Sequence, residues 1–163
     1  MNRKAQTIGY EIFVAIFMLS IIFLHFLNSL TLLQKAEENF IRLSPIQNSA
    51  YYSLALLTRT PGKPSNWEYD LNIQLLGLSK PNSPNVIDVN KLNKFLAMDY
   101  NDIKKFLRIE EYEFYFELTQ NSTTYSVGDL SQANNAEYAI SMQKIVDFNA
   151  QPAKARMILY VKE

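Results

Sequence analysis

From Ile12 to Leu27 only Ser20 and His25 interrupt a run of Ile, Phe, Val, Leu, Met and Ala, and the flanks extend the apolar stretch from Ile8 to Leu33. A helix rises about 1.5 Å per residue and the hydrocarbon core of a bilayer is roughly 30 Å thick, so this stretch can cross as one helix. Arg3 and Lys4 precede it, whereas Glu37 and Glu38 stand beside Lys35 and Arg42 just past it. The positive-inside rule then predicts a single-pass membrane protein with a cytoplasmic N-terminus and residues 34 to 163 outside.

A secretory signal peptide would have a shorter apolar core followed by a small-x-small cleavage step. Here Asn28-Ser29-Leu30-Thr31-Leu32-Leu33 carries the apolar pattern onward with no Ala-x-Ala step. The one signal-like junction lies before the run, at Arg3-Lys4-Ala5-Gln6. It resembles the processing site of archaeal type IV pilin-like precursors, the class III signal peptide family. That resemblance implies that a prepilin-type leader peptidase acts at Lys4, Ala5 and Gln6, removes residues 1 to 5, and leaves the whole hydrophobic helix on a chain beginning at Gln6. Bacterial members carry a Glu at the fifth mature position; here that position is Tyr10 and the carboxylate is Glu11. One residue turns a helix by about 100°, so Glu11 reads first as an interfacial carboxylate favoured by the helix dipole.

The remaining residues suffice for one modest domain. Lys plus Arg and Asp plus Glu are 16 each, and the only basic grouping is Lys104-Lys105 with Arg108, so nucleic-acid binding has no electrostatic footprint. Cysteine is absent, which removes disulfides, thiolate catalysis and Cys-based metal sites. An external domain without cross-links must hold by packing, and ten Tyr, ten Phe and one Trp supply the apolar faces.

Past the membrane run, Leu33, Ala36, Phe40, Leu43, Ala50, Leu54 and Leu57 fall on helical spacing when Gln47 is counted, which predicts one buried stripe. Pro45 predicts a kink or short break near Arg42 to Ser44, or two helices meeting there. Pro61, Gly62 and Pro64 end the helix, and Trp67 is expected to anchor the chain as a packing residue. Tyr69 to Leu78 reads as a strand, and Lys80 to Asn85 as a turn-rich loop. Pro61-Gly62 to Trp67, Gly77-Leu78 and Lys91-Leu92 resemble the heads of anchored archaeal pilin-like proteins. Asp88 and then Asp99 or Asn101 are expected to cap two short helices. Tyr112, Phe114, Phe116 and Leu118 alternate with Glu113, Tyr115, Glu117 and Thr119 as a half-buried strand, followed by a short strand near Tyr125 to Val127. Residues 137 to 148 and 154 to 161 predict a hairpin across Asn149 to Pro152.

Chemistry is sparse. His25 is the only histidine and lies inside the apolar run, so the outer part has no imidazole for acid–base relay or metal ligation. Its expected role is a neutral ring that snorkels or pairs with Ser29 or a neighbouring helix. Glu113 and Glu117 would lie about 13 Å apart along a strand, wide for a glycosidase pair, and Glu110 and Glu111 add to what reads as a solvated face. Asp99 and Asp102 fit helix capping better than metal, since no calcium-loop pattern accompanies them. No glycine-rich phosphate loop occurs. Asn121-Ser122-Thr123 is an acceptor sequon and a candidate glycosylation site.

The expected architecture is α+β: a long N-terminal hydrophobic helix, continuing as an amphipathic spine, packed on a small, mainly antiparallel sheet with two short helices. Its divisions are a leader at 1–5, an assembly helix at 6–33, the spine at 34–58 and a head at 59–163. The expected function is a pilin-like structural subunit with no enzymatic role, metal or cofactor. It would assemble with further copies or other pilin-like subunits through Gly9, Glu11, Ala15, Phe17 and Ser20, the small residues allowing close helix approach. A monomeric anchored binding domain is the alternative, and an anchored carboxylate-only hydrolase ranks last.

Overall fold

A computed structural model describes residues 3–70 and 72–161, without the side chains of residues 3–11, 36, 38, 39 and 42. The candidate positions Lys4, Ala5, Gln6, Gly9 and Glu11, and Ala36 of the stripe, therefore lie outside the described side chains. The chain is α+β and divides into two compact units, Met1–Arg42 and Leu43–Glu163. Helix α1, Arg3–Arg59, supplies all the described structure of the first unit and opens the second.

In the first unit nearly all the described apolar side chains from Ile12 to Leu33 stand exposed, and the 24 residues Ile12–Lys35 are long and apolar enough to cross a membrane. The hydroxyls inside this stretch do not offend it. Ser20 donates to the Ile16 carbonyl at 2.8 Å and Ser29 to the His25 carbonyl at 2.9 Å, each one turn back. The Ser29 hydroxyl is thereby engaged by the backbone carbonyl of His25.

Helix α1 continues through Pro45, with neither a break nor a second helix start. The buried stripe is shorter than its spacing suggested. Ile46, Ala50, Leu54 and Leu57 are buried, whereas Leu33 and Phe40 are exposed. Those four side chains belong to the core of the second unit.

That core rests on a six-stranded sheet of order β1-β2-β5-β6-β3-β4. The strands are β1 (Ser79–Lys80), β2 (Ser83–Ile87), β3 (Glu113–Gln120), β4 (Thr123–Val127), β5 (Ala139–Phe148) and β6 (Gln151–Tyr160). All neighbours are antiparallel except β2 and β5, so the sheet is mixed. The expected hairpin is present and tighter than predicted. Phe148 pairs with Gln151 across Asn149-Ala150, both at positive φ, the conformation that suits a two-residue turn to the twist of its strands.

Helices α2 (Val89–Leu96) and α3 (Tyr100–Leu107) start where expected, because the carboxylates of Asp88 and Asp99 each accept two backbone N–H groups of the first turn. Leu92, Phe95, Ile103 and Leu107 pack with the α1 stripe against Phe114, Phe116, Leu118, Met157 and Leu159. A third short helix, α4 (Leu130–Asn135), was not anticipated. Capped by Asp129, it brings Ala133 against Tyr115, Ile158 and Tyr160 on the opposite face of the sheet.

Three expectations are corrected. The described residues of 69–78 do not form a strand: a 3₁₀ turn at Trp67–Tyr69 leads into a loop whose one ladder contact among the described residues is the Lys63–Leu75 bridge. The loop at 80–85 contains strands β1 and β2. Finally, β3 is buried on both faces from Phe114 to Leu118, so Glu117 does not lie on a solvated surface and Glu113 is only half-exposed, whereas Glu110 and Glu111 are exposed as expected.

Candidate functional site

The short motifs scattered through residues 61–92 meet in one place. Helix α1 ends at Arg59, and the chain returns to it: the Leu78 N–H donates to the Leu57 carbonyl at 2.8 Å and Ser79 N–H to that of Thr60 at 3.1 Å. Trp67 is fully buried and its indole N–H donates to the Gly77 carbonyl at 2.8 Å. The glycines are required by that closeness. Gly62 has φ +84 and a Cβ there would meet the Trp67 ring, while a Cβ on Gly77 would meet the Thr60 carbonyl.

Lys91 completes the cluster from α2. Its side chain is buried, and the ammonium donates to the carbonyls of Pro61 at 2.5 Å, Ser65 at 2.6 Å and Ser79 at 3.2 Å. An ammonium has three donors, and each meets an acceptor here. Burial pulls its pKa below the ordinary lysine range, with Glu68 and then Asp88 opposing that shift. With every proton engaged and no open face, this lysine is a clamp on two loops and not a nucleophile. Sequence reasoning singled out Lys91 only as half of a motif. A lone Lys among apolar helix positions was the available signal.

The acidic candidates also resolve into structural pairs. Glu113 Oε1 lies 3.0 Å from Lys104 Nζ, and its Oε2 lies 2.9 Å from the Tyr100 hydroxyl. That hydroxyl accepts from the Phe114 N–H at 2.8 Å, and its ring stacks on Phe114 with centroids 4.6 Å apart. Glu117 pairs with Arg156 Nε at 3.0 Å and accepts from the Tyr115 hydroxyl at 3.1 Å. Each carboxylate is committed to its own cation and tyrosine. Asp99 serves as a cap, and Asp102 pairs with Lys105 at 3.2 Å. Among the described residues no three His, Asp or Glu side chains gather as a metal site.

Burial raises the pKa of Tyr100, Tyr115 and Tyr160, with Glu113 or Glu117 adding to the shift. A raised tyrosine contributes stability that is whole below pH 10, the unfolded value, and is lost as pH climbs toward the folded value. In a spectrophotometric titration these three are expected to ionise late and together with loss of near-UV circular dichroism. Simple ionisation of all tyrosines near pH 10 with the fold intact would contradict it.

Of the remaining candidates, Ala15, Phe17 and Ser20 are exposed along α1, and Asn121 is exposed in the β3–β4 turn, its amide 3.4 Å from Gln151 Oε1. The second unit also carries a cleft of about 720 Å³ between the end of α1 and the end of α3, not foreseen from the sequence. Tyr52, Leu56, Phe106 and Ile109 line it, with Arg59 and Arg108 and, among the described residues, no carboxylate. Arg108 is the left-handed residue that ends α3, at φ 57. Neither family models, curated proteins nor solved structures provide a match to this chain.

Proposed function

We propose that this chain is a pilin-like structural subunit, held in the membrane by its N-terminal helix and assembling through that helix into a filament or pseudopilus, with the head outside. The observation that carries this reading is that one helix does two jobs. Between Ile12 and Lys35 α1 presents apolar side chains that its own chain does not cover, and from Ile46 to Leu57 it is the buried spine of the head. An ordinary signal anchor has no reason to share its helix with a domain core. A subunit that exchanges lipid for neighbouring helices has a use for a helix whose second half belongs to the head's own core. The convergence of Pro61-Gly62, Trp67, Gly77 and Lys91 at the end of α1 supports the same reading, since these positions carried the resemblance to archaeal pilin-like heads.

The test is the N-terminal mass of the chain recovered from native membranes. A chain beginning at Gln6, with processing blocked by Ala5→Phe, is the expected result, and a chain still beginning at Met1 or Asn2 would refute leader cleavage. Within the span, Phe17→Asp is expected to cost about 3 kcal/mol of insertion free energy and to deplete the chain from the membrane fraction. The alternative, a monomeric anchored binding domain, has the 720 Å³ cleft in its favour. An uncleaved chain that sediments as a monomer from mild detergent would establish it.

A further inference from the structure

Phe40 and Ile41 raise a question that a bilayer does not answer. They lie past Lys35, where the membrane-length stretch ends, yet they are 72 % and 62 % exposed. On a helix of 3.6 residues per turn they share a face with Leu33 and Glu37, at steps of three, four, seven and eight. Leu33 is likewise exposed, and so is Glu37. Among the described side chains of this face, the result is an apolar ridge in which Glu37 is the one carboxylate beside three large hydrocarbon side chains.

The cleft of the second unit has the complementary chemistry. It is lined by Leu56, Phe106 and Ile109 with the exposed ring of Tyr52, two exposed cations, Arg59 and Arg108, border it, and among the described residues no lining residue is acidic. Lying between the ends of two helices, it has the form that receives a third, with anchors at i, i+4, i+7 and i+8. The geometry points to a specific contact between copies of this chain: the cleft of one subunit receives the Leu33–Glu37–Phe40–Ile41 ridge of another, with Glu37 paired to Arg59 or Arg108. This contact rests on the assembly reading above and names the partner and residues of one interface within it. It also assigns work to a charge that a purely apolar helix bundle would leave unused. The arginine–carboxylate pair fixes which stretch of the incoming helix enters, because sliding the helix by one turn would put an apolar residue opposite the guanidinium groups and leave Glu37 against apolar walls.

The absence of cysteine makes the test direct. Two differently tagged full-length chains are co-expressed, one carrying Glu37→Cys and the other Arg108→Cys, and the membranes or sheared filaments are treated with a short bis-maleimide. A product bearing both tags can arise only between copies. It is expected for this pair and not for Glu37→Cys with Lys154→Cys, an exposed position on the outer face of β6. As a second measurement, Glu37→Arg and the double change Arg59→Glu with Arg108→Glu are each expected to cut assembled material at least tenfold, and combining all three to restore it. Equal cross-linking in both pairs, or filaments from wild-type chains with no doubly tagged product and no effect of charge reversal, would overturn the contact and leave the assembly reading standing. So would recovery of a different protein or an anionic amphiphile in the cleft. Wild-type chains that never self-associate would overturn both.

Discussion

Replacing Trp67 with Ala is expected to lower the unfolding free energy of the head by about 3–5 kcal/mol, the range for deleting a large buried aromatic. The loss belongs at the high end because the site is unable to collapse. The Trp67 ring is fully buried, and the backbone that touches it is held from elsewhere: Lys63 N–H donates to the Leu75 carbonyl at 2.9 Å and Gln74 N–H to that of Lys63 at 2.8 Å. The neighbours therefore stay where they are, and the volume of the indole becomes a void. The Gly77 carbonyl also loses its 2.8 Å donor, a further cost of order 1 kcal/mol when a buried acceptor goes unpaired. Denaturant titration of the full-length chain in detergent, followed by far-UV circular dichroism, measures the change. Trp67→Phe keeps most of the ring and is expected to lose much less. A Trp67→Ala loss below 1 kcal/mol would mean that the loop repacks and that the cluster is not the joint between α1 and the head.

The parts of this fold that could be read in the sequence are those where one local rule governs. Asp88 and Asp99 cap their helices because a short carboxylate before an apolar periodic run has little else to do, and the β5–β6 hairpin follows from alternation on either side of Asn149-Ala150. The misreadings arise where a tertiary contact outweighs the local pattern. Leu71, Ile73 and Leu75 alternate like a strand, but Trp67 and Gly77 tie the ends of that segment together, and Leu76, Gly77, Leu78 and Ser79 are buried in succession instead. Strands β1 and β2 were hidden by the turn residues within them. Asn82 and Asn85 take positive φ, and Pro84 falls between the Lys80–Ser83 and Ser79–Ile87 pairs, where no ladder donor is asked of it.

The candidate site shows the same division. The alternation of β3 correctly separated its two faces, but the charges of Glu113 and Glu117 suggested solvent on the second. What covers Glu117 is its own set of partners, with Arg156 on the adjacent strand and Tyr115 beside it. A pair of opposite charges brought together by register between β3 and β6 leaves no trace in either strand taken alone. The Arg59 and Arg108 cleft was invisible for a similar reason, since its two arginines are far apart in the chain and each ends a different helix.

Substituting Lys91 by Met is expected to cost about 3 kcal/mol, and the comparison with Arg decides why. Methionine retains the apolar stem of the side chain, so packing of α2 against the loops that hold Pro61, Ser65 and Ser79 is nearly preserved and the change isolates the ammonium. Desolvating that charge is unfavourable, as its lowered pKa records, and an ion pair replaced by hydrocarbon can be neutral or even stabilising. Here, however, the direct hydrogen-bond partners are neutral carbonyls of Pro61, Ser65 and Ser79, which cannot be removed by any side-chain change. Each one left dry costs roughly 1–3 kcal/mol, offset in part by the desolvation no longer suffered and by any water admitted. Arginine keeps the charge but presents a planar fork in place of three donors radiating from one atom, and it is too large for a space closed by two loops. Lys91→Arg is therefore expected to be no more stable than Lys91→Met. Trp67 reports both variants, because it is the only tryptophan in the chain and lies in the same cluster, so its fluorescence follows the loops as denaturant is raised. If Lys91→Met unfolded at the wild-type midpoint, the clamp would contribute nothing net to stability. If Arg rescued it, positive charge opposite Glu68 and Asp88 would matter more than the three carbonyl bonds.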